Sequence, residues 1–149
     1  MSRAFVREDV EVAERSQQRR SASGLPPGTL NLMTADGAAH LREQWQEQRL
    51  LHPNDDATAR LEEVLASATI VMPITAQNTI VFGSTVRLRS DKGEQAVYRI
   101  VGVDEVDMDP TYVSWLSYLG KTLLGAGKLG QRISLAPTQK SVWTIVGIE

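Results

Sequence analysis

An α+β fold is predicted from three features of the sequence. Between residues 34 and 68, apolar side chains recur three and four apart, which is helical spacing. After "MPITAQN" the period drops to two, the mark of half-buried strands. One leucine-rich stretch, "YLGKTLLGAGKLG", interrupts the strands with a short helix whose exit is marked by Gly125, Gly127 and Gly130. A sheet packed by one helix and preceded by helices is an α+β arrangement.

Residues 1–27 hold no sustained period. "RSQQRRSASGLPPG" is polar and then broken by Gly24, Pro26, Pro27 and Gly28, which predicts a mobile arm ending in a turn. Arg15, Arg19 and Arg20 on it could meet nucleic acid, an acidic protein or only water. Residues 28–73 read as a short antiparallel helical hairpin. Thr34 is placed to cap the first helix with its hydroxyl, and Asp36 suits the positive helix end. In "ADGAAHLREQWQEQRLL", Leu41 and Trp45 share a face with Ala38, while Glu and Gln fill the other. Leu51-His52-Pro53 ends the helix, because the residue before proline is pushed out of helical geometry. Asn54 or Asp55 caps a second helix with apolar positions Ala57, Leu61, Val64, Leu65 and Ala68. The expected seam is Leu41, Trp45, Leu61 and Leu65. At ~1.5 Å per residue such an arm reaches roughly 25 Å.

Residues 74–149 read as a sheet domain. "TIVFGSTVRLRS", "QAVYRIVGV", "YVSWLS", "GQRISLA" and "SVWTIVGI" predict five strands of an antiparallel sheet. "SDKGE" is a hairpin turn in which Gly93 can take positive φ, and "PTQKS" is another turn. Leu119, Leu123 and Leu124 of the short helix face inward.

Composition removes several function classes. With 149 residues, 42% hydrophobic and 23% charged, the chain is an ordinary globular length and mix. It has no cysteine, which excludes disulfides, zinc fingers and thiol nucleophiles. No apolar run approaches the ~20 residues of a membrane span. The polar N-terminus lacks the apolar core of a secretion signal, so a cytoplasmic location is expected. The net charge of −2 is uneven. Residues 28–73 carry three Arg against seven acids, net −4, whereas the flanking parts are each net +1. An acidic module between near-neutral ones argues against free duplex DNA as the main ligand.

Each candidate site also has a plainer role. "LGKTLLG" contains Gly120-Lys121-Thr122, but a phosphate-binding loop needs glycine where Trp115 stands. The two histidines, His40 and His52, both fall on the helical arm, and no G-x-S-x-G elbow exists to make a serine hydrolase. Asp104, Glu105, Asp107 and Asp109 gather in "VDEVDMDP", yet their spacing matches no calcium loop, so an exposed acidic loop or protein contact is expected. His52, Asp55 and Asp56 could ligate a divalent ion, but a capping role at a helix start explains both aspartates. No metal and no cofactor are expected. Trp143 is placed in the core or a shallow groove, and Trp115 in the core or a protein interface.

The stretches "VFGSTVRL", "YRIVGVDEVD" and "SWLSYLGKTLLGAGKLGQRISL" together resemble the C-terminal half of the GreA/GreB family of bacterial transcription factors. "MTADGAAHLREQ" is similar to the family's helix opening, T-x-x-G-x-x-x-L-x-x-E, and "MSRAFVRE" to the start of GreB-type members. The resemblance implies a coiled-coil hairpin followed by an FKBP-like β domain. It implies docking on bacterial RNA polymerase near the secondary channel, with only indirect contact to DNA and RNA in the elongation complex. In the family, the acidic hairpin tip helps hold a magnesium ion for transcript cleavage by the polymerase.

Two departures shape the expectation. The family's tip, an Asp followed three residues later by Glu, is replaced by Asp55-Asp56, and the hairpin is short, similar in this to Rnk-type relatives. The family's Ser-Pro docking dipeptide reads here as Leu116-Ser117-Tyr118. The expected function is therefore a non-enzymatic elongation regulator that binds polymerase through Leu116, Ser117, Tyr118, Asp104, Glu105 and Asp107, without stimulating cleavage. The alternatives are an FKBP-like peptide-binding or prolyl isomerase module, or a weak cleavage-stimulating factor acting through Asp55 and Asp56. Aromatics at 5% of the chain are sparse for a proline-peptide pocket.

Overall fold

The computed structural model describes residues 24–26, 28–72 and 78–149. Almost all of the predicted mobile arm over residues 1–27, and most of "MPITAQN", lie outside the described residues. The chain divides into two compact units. Among the described residues, one comprises those up to Asn31 together with Ala38–Thr69, and the other Leu32–Gly37 together with those from Ile70 to Glu149.

The first helix, α1 (Ala35–Leu51), has the bounds the sequence predicts. It starts after Thr34, whose Oγ1 accepts a hydrogen bond from the Gly37 N–H at 3.1 Å. It stops one residue before His52-Pro53, as proline requires. Ala38 and Leu41 are buried and Trp45 is half-buried, with the Arg49 guanidinium 5.1 Å from the indole centroid. The second helix, α2 (Asp56–Ser67), buries Thr58 and Val64, and leaves Leu61 and Leu65 half-buried. It ends where Ala68 turns extended, at φ −69° and ψ 134°. Two short strands, β1 (Asn31–Thr34) and β2 (Ala68–Val71), then pair as a two-stranded sheet. Neither was expected, because four residues are too few to establish a period of two.

The other unit is built on a five-stranded sheet. Its strands are β3 (Thr85–Ser90), β4 (Gln95–Val101), β5 (Tyr112–Ser114), β6 (Arg132–Ile133) and β7 (Trp143–Ile148), in the order β5-β4-β3-β7-β6. All five predicted strands exist. The turn between β3 and β4 closes as foreseen: Gly93 takes φ 87°, and the Ser90 hydroxyl accepts from the N–H groups of Lys92 and Glu94. The expectation of a wholly antiparallel sheet is corrected, since β5 runs parallel to β4, Arg99 opposite Tyr112 and Val101 opposite Ser114. Residues 102–111, which include a short 3-10 turn at Val106–Met108, carry the chain back so that β5 starts beside the middle of β4. A parallel neighbour needs such a return connection.

Helix α3 (Tyr118–Ala126) closes over the sheet. Leu123 is fully buried among Ile80, Val86, Leu88, Ile100, Ile133, Trp143 and Ile145, and Leu119 and Leu124 pack against that cluster. The alternation is plain in β3, where Val86, Leu88 and Ser90 are buried while Arg87 and Arg89 are exposed. Among the described residues, no helix is long and apolar enough to cross a membrane.

Leu123 is the knob by which α3 grips the sheet. Replacing it with alanine is expected to cost about 2–5 kcal/mol through lost burial and a cavity. Urea denaturation should show a lower midpoint with an unchanged slope.

Candidate functional site

The loop from β5 into α3 is held by its own serines. Ser117 stands at the N-cap of α3 with φ −70° and ψ 162°. Its Oγ accepts from the Gly120 N–H at 3.0 Å and donates to the Ser114 carbonyl at 2.6 Å. The Ser114 hydroxyl in turn accepts from the Leu116 N–H at 3.1 Å. Gly120 is needed for close approach, because a Cβ there would lie 2.0 Å from the Ser114 carbonyl oxygen. This explains the glycine of Gly120-Lys121-Thr122 without any phosphate. Trp115 packs edge-on against Phe82, with ring centroids 6.4 Å apart, so it belongs to the core rather than to an interface. The loop therefore leaves Tyr118 45% exposed and Leu116 half-buried, while the Ser117 hydroxyl is spent on the frame.

The acidic stretch before β5 does not behave as one surface. Asp107 is exposed and Asp104 is half-buried. Asp109 is drawn into its own turn: its Oδ1 accepts from the Thr111 hydroxyl at 2.6 Å and from the Thr111 N–H at 2.8 Å. Those two donors, the hydroxyl first, hold its carboxyl below the usual aspartate range. Glu105 is fully buried, and the expectation that it faces a partner is corrected. Its carboxylate accepts from the Thr34 N–H at 3.1 Å, the Gly102 N–H at 2.6 Å and the Thr34 hydroxyl. A carboxylate satisfied by three internal donors has no reason to leave them. Inside an acidic run it looks solvated. The readable signal was elsewhere, in Thr34-x-x-Gly37, a capping box without its acid.

At the turn between α1 and α2, Asp55 occupies the N-cap position of α2, but its side chain makes no capping hydrogen bond. That corrects the capping expectation. The carboxylate lies instead 3.8 Å from His52 Nδ1, both groups being more than half exposed. Asp56 lies in the first turn of α2, where its charge suits the helix dipole. The turn is tied by Thr58, which no sequence signal marks. Its buried hydroxyl donates to the His52 carbonyl at 2.7 Å. Among the described residues, no group of three or more His, Cys, Asp or Glu is arranged to hold a metal ion.

The family model for the C-terminal domain of the transcription elongation factors GreA and GreB matches residues 75–149, which contain the whole five-stranded sheet and α3. The chain belongs to the GreA/GreB family. The GreB of Pseudomonas aeruginosa is 38% identical over 72 residues, covering 48% of this chain and 43% of that protein. The GreA of Ralstonia nicotianae is 35% identical over 91 residues, covering 59% of this chain and 52% of that protein. The matched region thus spans about half the length of these curated relatives. Among solved structures, a GreA/GreB factor from Nitrosomonas europaea aligns at 26% identity and a TM-score of 0.43, over 78% of this chain and 97% of that one. The GreA factor homolog 1 of Thermus thermophilus aligns at 27% identity and a TM-score of 0.42, over 81% and 99%.

Within this GreA/GreB-type unit, two local outcomes are expected. Ser117→Ala should cost about 1 kcal/mol by removing the cap of α3, read as a drop in unfolding free energy. Thr111→Ala should raise the titration midpoint of Asp109 towards the ordinary aspartate range, followed by carboxyl NMR shifts against pH.

Proposed function

We propose that this chain is a transcription elongation regulator that binds bacterial RNA polymerase near its secondary channel and does not itself catalyse a reaction. The observation that carries the reading is the family match over residues 75–149, in which the β5–α3 loop is held rigid by Ser114 and Ser117. Docking through that loop uses Leu116 and Tyr118, framed by Ser117, with Asp104 and Asp107 alongside. Glu105 acts from the interior. On this reading the sheet unit is the FKBP-like domain of the family, and α1 and α2 form its abbreviated hairpin.

The hairpin offers charge without a metal-holding geometry. α1 has 17 residues and reaches about 25 Å at ~1.5 Å per residue. Asp55 and Asp56 are exposed at its end, Asp55 turned towards His52. Such an arm supports occupancy of the channel entrance rather than stimulation of cleavage at the polymerase centre. The prolyl isomerase alternative finds little support at the cleft beside the β3–β4 turn, of about 270 Å³. Its lining is mostly charged or small polar, from Ser90, Asp91, Lys92, Glu94, Lys140 and Ser141, with Val142 and Trp143.

The test is a binding assay of the full chain with purified bacterial RNA polymerase. Binding is expected, and the double variant Leu116→Ala/Tyr118→Ala should weaken it about tenfold or more, as loss of a central aromatic anchor does. Absence of binding would sink the reading. With stalled elongation complexes and magnesium, no transcript shortening is expected. Shortening that disappears in Asp55→Ala/Asp56→Ala would instead establish the cleavage-stimulating alternative.

A further inference from the structure

We propose that Glu105 is a positioning residue for the first turn of α1, supplying from far along the chain the acid that a capping box normally carries within the helix. In a local capping box the N-cap Ser or Thr accepts from the N3 N–H, and an N3 Glu or Gln accepts from the N-cap N–H. Here the first half is intact, since Thr34 Oγ1 accepts from the Gly37 N–H. The second half is taken by Glu105, 71 residues further on, whose Oε2 accepts from the Thr34 N–H. Its Oε1 accepts from the Thr34 hydroxyl, which orients the lone pair that Gly37 uses.

The surroundings are shaped for that substitution. Position N3 is Gly37, and a Cβ there would stand 1.8 Å from Glu105 Oε1. The glycine makes room for an acid arriving from outside the helix. Gly102 plays the matching part: its N–H donates to Oε2, and a Cβ on it would stand 2.0 Å from the Leu32 carbonyl oxygen. Within the same first turn of α1, Asp36 meets the half-buried Arg99 of β4 at 3.4 Å. Residues Leu32–Gly37 accordingly group with the sheet unit, although α1 continues beyond them. A buried carboxylate is a poor device for bulk stability, because apolar packing of equal volume does as well or better. Its value is local. Three donors and two oxygens fix where the first turn of α1 begins. This inference rests on the proposed reading only in taking α1 as the functional arm; the contact itself is a property of the free protein.

The experiment uses the full chain free in solution, so it does not depend on polymerase. Glu105→Ala should speed amide hydrogen exchange in the first turn of α1 by about tenfold or more, the effect of a lost cap plus orphaned donors. Amides of β3 and β4 should keep their protection. Gly37→Glu alone should do the same damage by collision. The double variant Gly37→Glu/Glu105→Ala rebuilds a local capping box, with the space vacated by Glu105, and should recover most of the lost protection. Glu105→Gln keeps the volume but turns an amide donor towards the cluster, and should fall between wild type and Glu105→Ala. Unchanged exchange in Glu105→Ala overturns the proposal. So does loss spread equally over β3 and β4, or a double variant no better than the worse single one. If the cycle succeeds while the chain fails to bind polymerase, the positioning role stands and the proposed function falls.

Discussion

A fully buried carboxylate can persist only if its oxygens meet enough donors to replace water. Glu105 meets that condition by drawing two distant segments onto one point, Thr34 at the start of α1 and Gly102 at the end of β4. The requirement propagates outward. It demands glycine at positions 37 and 102, extended backbone through residues 32–34, and a tight turn from Gly102 to Glu105, closed by the Glu105 N–H to the Gly102 carbonyl at 3.0 Å. The start of α1 and the end of β4 thus share one carboxylate.

Much of the architecture was legible because its signals are local. α1 runs from a threonine cap to a histidine-proline stop, and both ends are chemistry within a few residues. The β3–β4 hairpin follows from one glycine and the alternation around it. α3 is announced by leucines and ended by Gly127 in the left-handed conformation. The parallel pairing of β5 was not legible, because alternation shows which side chains are buried and says nothing about the direction of the neighbouring strand. β1 and β2 escaped for want of length.

The candidate site was legible in part, for the same reason. Tyr118 is exposed and Leu116 half-buried, but the sequence could not separate a serine free to meet a partner from one that caps a helix. Ser117 caps. The acids divided in a similar way: Asp107 stays in water, Asp109 folds onto Thr111, and Glu105 is interior. A run of like charges invites a single interpretation, yet each carboxylate takes the donors its own backbone position offers. At the α1–α2 turn, Thr58 secures the chain where an aspartate was expected to do so.

The parallel alignment of β4 and β5 has a consequence for where the buried carboxylate and the β5–α3 loop are tied down. Parallel strands finish at the same edge, so Val101 and Ser114 end side by side, and the Trp115 N–H donates to the Val101 carbonyl at 3.0 Å. Immediately past Val101 lies Gly102, a ligand of the buried carboxylate. Immediately past Ser114 lies the loop that presents Leu116 and Tyr118. The footing of the helix and the footing of the outer loop are thus neighbouring stones in one course of masonry, set by a single row of hydrogen bonds. Had β5 run the other way, they would stand at opposite ends of the sheet.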